Sequence, residues 1–285
     1  MRKDFLLPGA ALVGGVLGFG LRTWQLKTAY LPEEQLFQRH APATMALIAV
    51  LAVALVLLAV LSRTRNRPCD FLPAFRCPNS AFMACMAASG FLMLAAGVLE
   101  LLSGFEKLQL WRLYPQSMQP AYPMLMMVCG ALCFPAGLGL LSVGKSCYRD
   151  NLSGSALQLT SFPAFAALVW VLSTHLAHGI DPVLMRYGPI LASAILLTLA
   201  HYFAAAFVYG RCRPFLLMFT ASAGTVLGLT ALADRPALGD MLLVLGLSLS
   251  AMTYAVTCLR NADGPKWNRA FEQPAKAEQD EKEDI

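Results

Sequence analysis

The sequence predicts an all-α fold: an integral membrane bundle of about eight transmembrane helices, with both termini on the cytoplasmic side. Three observations carry this. The 285 residues are 57% hydrophobic and only 14% charged, against about 25% charged for an ordinary soluble domain. The few charges are bunched, and between the bunches lie eight runs almost free of Lys, Arg, Asp and Glu: 5–21, 41–61, 81–102, 122–143, 162–178, 189–208, 215–232 and 241–259. At 1.5 Å per residue such runs span a hydrocarbon core of about 30 Å. Finally, the runs are rich in Leu and Ala and lack two-residue alternation, which excludes a barrel of short strands and leaves the helix, whose backbone groups are all satisfied within the segment.

Taken in order, the first run follows Arg2 and Lys3 and is succeeded by "FGLRTWQ" instead of a small-residue cleavage site, so it reads as a retained helix and not as a secretory signal. Two longer outside loops follow the first and third runs, "LRTWQLKTAYLPEEQLFQRHAP" and "SGFEKLQLWRLYPQSMQPAYP". Their Trp24, Trp111, tyrosines and prolines suit half-buried segments at headgroup level. The later outside connections are short, which suggests two halves of four helices. The fourth run holds Pro135, which removes a backbone donor, with Gly137 and Gly139 just beyond it; a kink is expected there. Gly14 and Gly18 in the first run, and Gly224 and Gly228 in the seventh, have the four-residue spacing that lets helix backbones approach closely, and they are expected to pack within the bundle. The transmembrane domain is read as residues 1–260. Residues 261–285 read as a disordered cytoplasmic tail with a basic front (Lys266, Trp267, Arg269) suited to anionic headgroups and an acidic end.

Orientation rests on the basic residues. Of the 22 Lys and Arg, 15 fall on the side of the termini and seven on the other: Arg22, Lys27, Arg39, Lys107, Arg112, Arg186 and Arg235. Basic loops stay in the cytoplasm. No cysteine falls in an expected outside loop, so no structural disulfide is needed on that face.

Ionisable groups inside spans are the default pointers to function. Here they are Glu100, His175, His178 and His201. The stretch "VLSTHLAHGID" sets His175 and His178 three apart on one helical face, at a depth similar to Glu100. Such a cluster could hold a cation or a proton. The other reading, that His178 and Gly179 only end a helix, is the favoured one. His201 lies deeper, on the neighbouring span, so a pair of axial haem ligands is not expected. No phosphate loop, metalloprotease pair or nucleophile elbow is present. The expectation is therefore no enzyme, no cofactor, no metal and no nucleic acid, with the lipid bilayer as the one clear partner.

The strings "GFGLRTWQL" and "HAPATMALIAVLAVALVLLAVLSRTRNRP" resemble uncharacterised multi-pass membrane proteins of bacteria, over about a quarter of the chain. That resemblance implies a bacterial plasma membrane and no particular activity. Size and helix number also look like the eight-helix anchor subunits of some molybdenum reductases, a likeness of architecture alone. Three functions stay open: a small-solute transporter or transport accessory, a quinol-interacting anchor, and a non-catalytic membrane protein acting through protein partners. The orientation is directly testable. A fluorescent reporter that matures only in the cytoplasm should be bright when fused after Ile285, and an enzyme reporter active only outside should be silent there.

Overall fold

A computed structural model describes residues 3–31, 33–34, 36–64, 70–116, 118–151, 154–178 and 184–263. Eight helical spans in it are long and apolar enough to cross a membrane. They are α1 (Lys3–Thr28), α2 (Pro42–Leu61), α4 (Ser80–Leu113), α5 (Ala121–Arg149), α6 (Gly154–Leu159) continuing into α7 (Phe162–Ala177), α8 (Leu184–Ala206), α9 (Pro214–Ala231) and α10 (Leu238–Asp263). A five-residue helix, α3 (Phe71–Phe75), lies between α2 and α4, and two short strands, β1 (Tyr30–Leu31) and β2 (Leu36–Phe37), pair antiparallel after α1. Proline opens α2 and α9 at their first position, where its missing N–H is no loss. Asn79 caps α4, its Oδ1 accepting from the Ala81 N–H at 2.9 Å.

Helix ends depart most from expectation. The third run, read as ending at 102, continues helical to Leu113, which makes α4 about 51 Å long at 1.5 Å per residue. Half of the stretch read as the second long loop is thus helix. In the same way α1 runs to Thr28 and takes in Arg22. The fifth run alone is short: α7 has 16 residues, and α6 supplies the rest of the span. At the C-terminus α10 stays helical to Asp263, three residues past the expected boundary; the tail from 264 onward lies outside the described residues.

Six spans close a ring in the order α4, α5, α7, α8, α9, α10 and back to α4, and α1 packs on α9 from outside with α2 beside it. The two halves expected from loop length therefore do not form separate units: α1 and α2 lean on α9, and α4 lies between α5 and α10. Large apolar side chains such as Val53, Val56, Phe91 and Leu102 point outward, as lipid-facing positions do.

Lipid is as apolar as leucine, so close backbone packing has to hold such helices together. The tightest seam joins α4 and α5. Gly90, Gly97 and Gly104 recur every seven residues on α4, and Gly130, Gly137 and Gly144 do so on α5. A Cβ at Gly97 would stand 2.9 Å from the Gly130 carbonyl oxygen, and one at Gly90 would stand 2.9 Å from that of Gly137. Helix α5 is assigned without interruption through Pro135, and its two nearby glycines serve contacts: Gly137 meets Gly90, and Gly139 meets the Leu159 backbone of α6. Gly14 lies against α2 and α9, Gly18 against Thr230 and Leu51, Gly224 against Leu196 and Leu197, and Gly228 against Ser193 and Val244.

The end that holds Lys3 and Asp263 carries an aromatic cluster. Phe75 stands edge-on to Phe207 and to Tyr254, each at 5.0 Å, and contacts Phe71 at 4.8 Å. The Asn261 amide donates to the carbonyls of Ala74 and Arg76, both at 2.9 Å, and so clamps α3 to the end of α10. Cys77 donates its backbone N–H to Cys147 O at 3.2 Å. Burial pushes the Cys77 thiol up, opposed by the Asn79 backbone N–H and the Arg260 charge, so it stays protonated and inert.

The seam can be checked by one methyl group. Gly97→Ala should destabilise the protein by about 1–3 kcal/mol through overpacking. Gly20→Ala, whose Cβ would meet nothing within 4 Å, should change little. Paired unfolding curves in detergent would compare them, and equal behaviour would remove the seam from the account.

Candidate functional site

Arg22 organises the end opposite the termini. It sits on α1 just past the apolar run, with a side chain 1% exposed. Its Nε donates to Asp234 Oδ1 at 2.9 Å, Nη1 to Gln25 Oε1 at 2.7 Å, and Nη2 to the carbonyls of Met185 and Arg186 at 3.0 and 3.1 Å. Gln25 in turn donates to Thr44 Oγ1 of α2 at 2.9 Å. The guanidinium also lies 5.3 Å from the ring centroid of Phe37 on the hairpin, a cation–π contact. One planar cation thus joins α1, the start of α8, the turn after α9, the hairpin and, through Gln25, α2.

Beside this junction a cavity of about 510 Å³ opens at the same end of the bundle. Its ring-side wall is built from Glu100 of α4, Tyr122 and Met126 of α5, Ser173 and Thr174 of α7, and Asp240 of α10. His178, Tyr187, Arg186, Asp234 and Arg235 complete it toward the mouth. Glu100 is 3% exposed, and it packs against Gly239 so closely that a Cβ there would collide with its carboxylate. That places Glu100 at the N-terminal turn of α10, the positive end of the helix dipole. Asp240 follows immediately, its Oδ1 accepting from Trp170 Nε1 at 2.7 Å. The nearest cation on α4, Lys107, joins the same wall: its ammonium donates to Tyr122 Oη at 2.5 Å and to Met126 Sδ at 3.4 Å. Arg235, in the left-handed region at φ 52°, is a non-glycine residue in a conformation that costs on the order of 1 kcal/mol, and it stands exposed at the mouth.

The four ionisable residues singled out from the sequence separate here. Glu100 and His178 share the cavity, and the His178 ring stacks on Tyr187 at 4.9 Å and 4°. His175 is exposed and does not line it. Three residues turn a helix by 300°, so the two histidines diverge by about 60°, enough at the rim of a bundle to send them to different surroundings. His178 is also the C-terminal cap of α7, so the helix-end position and the cavity position coincide in one residue. His201 is fully buried elsewhere, between Leu197 O and Ser250 Oγ, each at 2.9 Å. A carbonyl can only accept, so in the neutral ring Nδ1 carries the proton and Nε2 is left as an acceptor facing the Ser250 hydroxyl, whose one proton is shared with the Gly246 carbonyl at 2.9 Å.

Sequence reasoning missed Arg22, Trp170, Asp234 and Asp240. Arg22 was counted as a loop charge, and the two aspartates as parts of a plain turn. The available signal was the "ADRPALGD" turn itself, with an acid at each end, and a glutamine three residues after Arg22 on the same helical face. Among the described residues no group of three or more His, Cys, Asp or Glu is arranged to hold a metal ion. Comparisons of the chain with protein-family models, curated proteins and solved structures give no match.

Removing one member of a buried ion pair strands the other, at about 3–5 kcal/mol. Arg22→Ala should therefore cost about that much in an unfolding titration, and Asp234→Asn, which keeps an acceptor oxygen, clearly less. A neutral Arg22→Ala would mean that the junction is not a structural tie.

Proposed function

We propose that this multi-pass protein takes a small polar solute into the cavity at the non-terminal end, acting as a transporter or as the solute-receiving accessory of one. The observation that carries the reading is the cavity itself: about 510 Å³, open at one end of eight spans, with carboxylates, hydroxyls and a histidine from separate helices converging on it. Such concave sites with a few convergent polar groups are the usual form of a small-molecule site. An adjacent pair of carboxylates at the inner wall is costly to keep in a membrane protein and is characteristic of substrate and ion paths. With 15 of 22 basic residues on the side of the termini, we place that side in the cytoplasm and the mouth of the cavity outside, in a bacterial plasma membrane. In this reading the aromatic cluster around Phe75 stands toward the cytoplasmic end, and a transport cycle would have to loosen it.

Access from the two sides separates transporter from accessory. Thr174, buried in α7 and lining the cavity, is changed to Cys in a variant whose other reactive thiols are replaced. An impermeant methanethiosulfonate reagent should modify it from outside. In inside-out vesicles a transporter should also be modified, slowly, from the cytoplasmic face, whereas an accessory should not. Absence of reaction from either face would reject the cavity as a solute site.

A further inference from the structure

The geometry points to an organic ammonium group as the part of the solute that this cavity recognises, bound between Glu100 and Asp240; the inference rests on the proposed reading of the cavity as a solute site. Glu100 is buried at 3% exposure, lines the cavity, and makes no hydrogen bond or ion pair among the described residues. A buried carboxylate without a partner is costly, and the cost is relieved by a proton or by a bound cation, which would displace that proton. None of the cations of the chain makes an ion pair with it among the described residues. Arg186 and Arg235 also line the cavity but stand exposed toward its mouth. Lys107, two helical turns along α4, adds positive charge to the same wall while its ammonium donates to Tyr122 and Met126. Arg22 is saturated by Asp234, Gln25 and two backbone carbonyls. Asp240 uses Oδ1 for Trp170 Nε1 and keeps Oδ2 for another donor.

The type of cation follows from the same groups. Arg186 and Arg235 stand exposed toward the mouth, whereas the inner wall carries Glu100 and Asp240, so the inner wall is the part suited to a cation. The described residues offer no three-ligand set for a metal ion, and a cavity of about 510 Å³ is far larger than a bare cation needs. An ammonium presents up to three N–H donors, which suits two carboxylates on adjoining helices. The body of the molecule then lies against Met126, Ile190 and the tyrosines, with Ser173 and Thr174 beside it.

Three probes of nearly equal size and different charge test this: benzylammonium, benzoate and benzyl alcohol. The measurement is the ratio of modification rates of Thr174→Cys with and without each probe, in otherwise full-length protein. Benzylammonium should slow modification at least tenfold at saturation, and the other two should not. Glu100→Gln should remove that protection, and Asp240→Asn, which keeps an oxygen for Trp170, should weaken the probe about tenfold; the second variant decides the matter if the first does not fold. Equal protection by all three probes, or protection unchanged in the variants, would overturn the ammonium assignment. Modification of Thr174→Cys with no protection by benzylammonium would reject that assignment and leave the cavity reading standing, whereas no modification at all would reject both.

Discussion

The Arg22 guanidinium is the contact on which the shape of the functional end depends. A charged group near a bilayer is tolerated only if its donors are met, and Arg22 meets its own by drawing three chain segments, α1, the start of α8 and the turn after α9, to one point. Helices α1 and α2 stand outside the six-helix ring, and this junction fastens their outer ends to it. It also fixes the turn after α9, so that the residues following Asp234 form the rim of the cavity. A lysine would not serve as well, because a point charge on a flexible stem lacks the planar fork that reaches a carboxylate, an amide and two carbonyls together.

The two ends of the bundle are built on opposite principles. The end that holds Lys3 and Asp263 is packed by rings set edge to face and by the Asn261 amide on two carbonyls. The other end gathers charges and hydroxyls that cannot be packed away dry and leaves space between them. Between these ends the glycine seam of α4 and α5 keeps two backbones in contact over several turns. Helix α4 therefore acts as a rigid post, and Glu100 and Lys107 are carried on it at fixed heights.

How much of this was legible in the sequence follows from what each feature depends on. The spans were legible because an uninterrupted apolar stretch of 17 or more residues has few other uses. The ends of α1 and α4 were not, because "RTWQLKT" and "GFEKLQLWRL" are amphipathic, and a change of solvent looks like a change of structure when only charge is read. Arg22 was hidden for the same reason. It counted as a basic residue at a membrane surface, and only the fold puts Asp234 and two carbonyls around it. The seven-residue glycine spacing on α4 and α5 was present in the letters, but attention to four-residue spacing passed over it. Glu100 was legible as a buried acid, whereas its neighbours Asp240 and Trp170 come from distant stretches that only the ring closure brings together.

The central claim is that water and solute reach the wall beside Glu100 from one end of the bundle. Collision rates of a spin label report it directly. A nitroxide at Thr174→Cys would be compared with one at Phe91→Cys on the lipid-facing side of α4, using a water-soluble nickel chelate and molecular oxygen as relaxing agents. The account predicts that the nickel chelate relaxes the label at 174 more effectively than oxygen does, with the reverse at 91. Relaxation dominated by oxygen at both positions would contradict it.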